Sequence, residues 1–145
     1  MTKRMTLSAL ALAGVFLALY LTLYKLGYIG RLVCGTGECE TVQLSKWSTL
    51  LGQPIALWGC GFYLATFAVA TAGTTERWAA SRALSVVLVV LTGWGVAFSG
   101  FLTYLELFEI HAICRYCVVS ALLTCVLFVV AVLDLRDYRS ARSDV

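Results

Sequence analysis

Cysteine is the residue type whose spacing implies chemistry in this chain. Cys114-Arg115-Tyr116-Cys117 opens the last apolar run, and Cys34 and Cys39 lie in the polar stretch that follows the first. In a C-x-x-C at a helix start the two sulfurs come close, and the helix N-terminus favours the thiolate that exchanges disulfides. A second pair on the same side of a membrane makes a relay. Electrons from a water-soluble thiol then pass from pair to pair and on to something dissolved in the lipid. Read as ligands, the same four thiols would form a structural zinc site, but 74 residues lie between Cys39 and Cys114, more than a zinc ribbon spans. Read as braces, they would make two loop disulfides on a non-enzymatic scaffold.

The relay needs a membrane, and the composition supplies one. Of 145 residues 61% are hydrophobic and 13% charged, and the mean hydropathy is +0.88, far from a soluble domain. The charges are clustered: 20 uncharged residues separate Arg4 from Lys25, 23 separate Arg82 from Glu106, and 18 separate Arg115 from Asp134. Pro54 divides the longest gap, leaving an apolar stretch from Ile55 to Ala72. Each run approaches the ~20 residues an α-helix needs to cross ~30 Å of hydrocarbon. The expected fold is therefore an all-α integral membrane protein, a four-transmembrane-helix bundle in one domain over 1–145, with spans at about 5–26, 55–73, 83–105 and 114–133.

Lys and Arg orient it. With a cytoplasmic N-terminus, Lys3, Arg4, Arg77, Arg82, Arg136, Arg139 and Arg142 lie inside and Lys25, Arg31, Lys46 and Arg115 outside, which follows the positive-inside tendency. Both termini then face the cytoplasm of a cell (inner) membrane, and all four paired cysteines face the oxidising, extracytoplasmic side. The first run is read as a retained helix: its apolar core is too long for a cleaved signal, and no polar cleavage region follows Ala13. No basic, aromatic-interleaved patch points to nucleic acid.

In the outer loop, Gly35 and Gly37 let the chain bend so that Cys34 and Cys39 can meet. Leu44, Trp47 and Leu51 fall at i, i+3 and i+7, the stripe of a short amphipathic helix lying in the interface. Gly93, Gly95, Ser99 and Gly100, with Gly59 and Gly61, are expected to let helices pack closely. His111, the only histidine, is either an interfacial group bonded to backbone or headgroup or a proton relay. Glu106 and Glu109 read as solvated loop charges. Cys60 and Cys125 read as small buried hydrophobes. Trp58, Phe62 and Tyr63 are bundle core or the wall of a ligand pocket.

Taken in order, Cys34-x4-Cys39, Val42-Gln43-Leu44-Ser45-Lys46-Trp47, Gly52-Gln53-Pro54, Trp58-Gly59 and His111-Ala112-Ile113-Cys114-Arg115-Tyr116-Cys117 resemble the vitamin K epoxide reductase (VKOR) family. The likeness is to its small bacterial members without a fused thioredoxin-like domain, which oxidise thiols for periplasmic disulfide formation. That resemblance implies four helices around a lipid quinone, ubiquinone or menaquinone, with no metal. It implies Cys114 and Cys117 beside the ring and Cys34 and Cys39 as the shuttle, oxidised by exchange with a separate thioredoxin-like, DsbA-type protein. By the same carry-over Ser45 supports the site; Trp47, Trp58, Phe62 and His111 are expected, from the residues themselves, to bind the quinone or support its site. Ile55 and Ala121 stand where vertebrate members hold the vitamin's carbonyl oxygens with polar side chains. Neither donates a side-chain hydrogen bond, so the resemblance implies plain quinone reduction, with reduction of an epoxide or naphthoquinone as the alternative. Quinone-linked oxidases of the DsbB type carry their C-x-x-C in the first outer loop, the opposite order.

Overall fold

The computed structural model describes residues 2–25, 49–50, 52–78, 81–110 and 115–143. Four helices dominate it: α1 (Thr2–Lys25), α2 (Ile55–Ala72), α3 (Arg82–Leu105) and α4 (Arg115–Ser143). All four are long and apolar enough to cross a membrane. Three follow the expected spans closely. The fourth continues ten residues past the expected end at 133, because its polar extension is tethered: Asp134 and Asp137 pair with Arg4 and Lys3 of α1.

Outside the helices, β1 (Thr49–Leu50) and β2 (Gln53–Pro54) form a minute antiparallel hairpin, with Thr49 opposite Pro54 and Leu50 opposite Gln53. Gly52 makes the turn at φ +81°, a conformation that side chains with a Cβ resist. The hairpin corrects one expectation in part. Leu44, Trp47 and Leu51 lie outside the described residues, but the last turn of the expected amphipathic helix is replaced at Thr49–Leu50 by extended, paired backbone.

α1 packs chiefly on α2, and α3 chiefly on α4, while α1 also meets α4 and α2 meets α3. The outer surface is apolar: Phe16, Val90, Trp94, Leu122 and Val129 are all exposed, which suits contact with lipid chains. The interior is small and partly polar, with Leu7, Ala11, Ala18, Tyr63, Ala70, Leu88, Leu127 and Ala131 beside Thr22, Thr66, Thr92 and Thr124. Each of those threonines donates to the carbonyl four residues earlier in its own helix, so none is buried unsatisfied. Lipid and interior are about equally apolar, so close packing must hold the helices together, and small residues permit it.

Of the five glycines in the expected set two do this work, two do not, and Gly59 only touches Ala18, 4.0 Å from where its Cβ would lie. A Cβ on Gly95 would lie 2.5 Å from the Phe62 ring and 2.9 Å from Thr124 Cγ2, and one on Gly93 would lie 3.3 Å from Phe128. Gly61 and Gly100 face open space. A tighter notch lies at Gly14 of α1, where a Cβ would fall 2.3 Å from Tyr63 Cδ1.

The end that holds the N-terminus of α1 and the α2–α3 turn is closed by Arg4, which is 3% exposed. Its guanidinium donates to the carbonyls of Gly73, Trp78 and Ser81 and to Ser85 Oγ, and it pairs with Asp134. Ser85 Oγ in turn donates to Asp134 Oδ2 at 2.7 Å. One side chain on α1 thus binds the loop after α2, the start of α3 and α4 at Asp134, just past its apolar part. Such a cation near a membrane is retained only when its donors are met in this way.

Candidate redox site

Cys117 lies at the opposite end, in the first turn of α4, and is half-buried. The ring of its neighbour Tyr116 packs on Tyr20 of α1, with centroids 5.5 Å apart. The last turn of α1, the first of α2 and the first of α4 therefore share this end of the bundle. Residues 26–48, with Cys34 and Cys39, join α1 to α2 from here, while 111–114, with His111 and Cys114, lead into α4. Cys34, Cys39, Ser45, Trp47, His111 and Cys114 lie outside the described residues.

The α2 residues of interest run down one helix. Ile55 opens it, half-buried; Trp58 is exposed; and Phe62, one turn deeper on the same side as Trp58, packs against the core. The Phe62 ring fits the Gly95 notch of α3 and stands edge-on to Tyr63, with centroids 5.1 Å apart. Ala121 of α4 is half-buried and follows Ser120.

Tyr63, expected as bundle core or pocket wall, also carries a polar link between helices. Its ring, 2% exposed, is held against Gly14, and its hydroxyl crosses from α2 to α4. There Oη lies 2.7 Å from Ser120 Oγ, 3.1 Å from the Ser120 carbonyl oxygen and 3.1 Å from Thr124 Oγ1. Ser120 is three residues beyond Cys117, one turn deeper on the same helix face. A hydroxyl residue at i+3 from the second cysteine was the available signal, and it was passed over.

Two further expectations are corrected. Glu106 is not a solvated loop charge. α3 runs on into a wider π-helical turn, Glu106–Ile110, where the backbone N–H of Glu106 is shared between the carbonyls of Leu102 and Thr103. That turn points Leu107 and Phe108 outward and leaves Glu106 4% exposed. Cys125 is not buried either: it sits on the outer face of α4, while Cys60 is buried in the core. Each of the two lies outside any disulfide.

Residues 5–132 match the model of the vitamin K epoxide reductase family, a stretch running from the first turns of α1 nearly to the end of α4's apolar part. The chain belongs to this family. VKOR family members are membrane oxidoreductases that work through thiol–disulfide exchange and quinones. Cys117, in the first turn of α4, lies inside the matched stretch. The four apolar helices make this VKOR family member a multi-pass membrane protein.

Proposed function

We propose that this chain oxidises a thioredoxin-like, DsbA-type protein on the extracytoplasmic side of the cell's inner membrane and passes two electrons to ubiquinone or menaquinone. The position of Cys117 carries the reading: a half-buried thiol in the first turn of a spanning helix. It lies at the bundle end from which the segment bearing Cys34 and Cys39 departs and to which it returns. The distribution of Lys and Arg supports cytoplasmic termini.

In the proposed cycle a thiolate of the donor attacks the Cys34–Cys39 disulfide at Cys34. The donor's second thiol resolves the mixed bond, so the donor leaves oxidised and Cys34 and Cys39 become a dithiol. Cys39 then attacks Cys114 of the Cys114–Cys117 disulfide and releases Cys117 as a thiolate. Cys34 resolves that second mixed bond, which restores Cys34–Cys39 and leaves Cys114 and Cys117 reduced. Closing Cys114–Cys117 again gives two electrons to the quinone, and the two thiol protons balance the quinol. Exchange proceeds through thiolates, which the N-terminus of α4 favours.

Ile55, Trp58, Phe62 and Ala121 are assigned to the wall of the quinone pocket, Ser45 and Trp47 to its support, and His111 to relay of one proton. The deciding experiment is anaerobic mixing of purified protein with a reduced thioredoxin-like donor and one quinone at a time. One quinol per donor disulfide is expected, lost in Cys117→Ser. Donor oxidation without quinol, or quinol formation that survives Cys117→Ser, would refute the proposal. Metal analysis of the same sample tests the zinc alternative, and an epoxide offered as sole acceptor tests the vitamin reductase alternative.

A further inference from the structure

Three hydroxyl groups meet inside the bundle between α2 and α4, and their protons can be arranged in two ways, one of which leaves one spare. Thr124 donates to the Ser120 carbonyl at 2.8 Å. Tyr63 Oη and Ser120 Oγ are 2.7 Å apart, and either can donate to the other. If Ser120 donates, Tyr63 passes its own proton to the Ser120 carbonyl or to Thr124 Oγ1, both at 3.1 Å, and the cluster satisfies itself. If Tyr63 donates to Ser120, the Ser120 proton has no acceptor among the described residues. The cluster therefore has a closed form and a form that presents one donor.

The direction of that donor is constrained. The Tyr63 ring is wedged between the Gly14 notch and the edge of Phe62, so its hydroxyl cannot swing away. Ser120 is only half-buried and shares a helix face with Cys117 one turn above. An acceptor oxygen resting against that turn selects the donating form, and at this depth water competes poorly for it.

We propose that Ser120, aimed by Tyr63, is the hydrogen-bond donor to a carbonyl oxygen of the quinone ring reduced at Cys117. This rests on the quinone reading above. Ser120 touches the substrate; Tyr63 acts through Ser120 and is a positioning residue. As the ring accepts two electrons from the closing Cys114–Cys117 pair, its oxygens gain charge, and a fixed donor stabilises that charge before the two thiol protons arrive.

The test uses purified full-length protein, a reduced thioredoxin-like donor, and ubiquinone-1 and menadione as acceptors. KM and kcat are scored per molecule competent in one quinone-free turnover of the donor. Ser120→Ala is expected to lower kcat/KM for both quinones roughly five- to tenfold, as for loss of one buried hydrogen bond. Ser120→Thr should recover most of that loss, and Tyr63→Phe should lower kcat/KM less than Ser120→Ala. A wild-type kcat/KM in Ser120→Ala, or an equal effect of Ser120→Thr, overturns the assignment of Ser120 while quinone reduction by the wild type stands. If the wild-type protein reduces neither quinone, the functional reading fails and this inference with it.

Discussion

Arg4 of α1 and Asp134 of α4 meet with Nε and Oδ2 3.3 Å apart, at the end of the bundle remote from Cys117. The two side chains are 3% and 13% exposed, and Ser85 bridges them. Arg4 also binds three carbonyls that end α2 and begin α3, so a lysine, with one ammonium, cannot replace it. Arg4→Ala should lower stability by ~3–5 kcal/mol, because Asp134 is left buried and unpaired. Unfolding in detergent measures this. Asp134→Ala should cost a similar amount, and the double variant less than the sum of the two, the mark of a coupled pair.

Gly14 and Tyr63 give a second, purely steric test. A methyl at Gly14 would overlap the Tyr63 ring, so Gly14→Ala should destabilise the bundle by ~1–3 kcal/mol. The same change in a Tyr63→Leu background should cost far less. Equal losses in both backgrounds would mean that the ring does not occupy the notch.

Glycines separate by face along one helix. Gly95→Ala forces the Phe62 ring and Thr124 to move, whereas Gly100→Ala enters open space. The first should destabilise and reduce quinone turnover, since Phe62 is assigned to the pocket wall. The second should be neutral, or stabilising by up to ~1 kcal/mol from helix propensity. Thermal unfolding midpoints of the two variants decide.

The unassigned cysteines differ in exposure, and a labelling experiment reads that difference. Cys125 on the outer face of α4 should react with a lipid-soluble maleimide in the native protein, and Cys60 should react only after unfolding. Cys60→Ala and Cys125→Ala should both keep quinol formation, in contrast to Cys117→Ser.

Sidedness follows from the proposed orientation. In intact spheroplasts a membrane-impermeant maleimide should label a cysteine-less variant carrying Cys34 alone. It should not label one carrying only Asp137→Cys. The reverse pattern would invert the topology.

The four spans were legible because charge-free runs of membrane length are coarse features that no local packing can disguise. The family was legible because its motifs stand in order from Cys34 to Cys117. Less visible was everything that depends on which way a residue faces. Glu106 looked like a loop charge because the helical path continues through a wider turn that a charge count cannot foresee. Gly14 and Gly61 are alike as letters, yet only one faces another helix. Arg4 was counted as one positive charge of seven, although its burial is a property of four elements meeting. Ser120 was overshadowed by Ala121, the position the resemblance to vertebrate members singled out.

The Arg4 clamp also sets an order of events during synthesis. Its acceptors at Gly73, Trp78 and Ser81 emerge from the ribosome well after α1, and its counter-ion Asp134 comes 130 residues later. Until the last helix has been inserted, a guanidinium made among the first residues must wait in the headgroup region or make do with partial partners. Assembly of this bundle therefore finishes where it began, because only the last helix brings the counter-ion that locks Arg4.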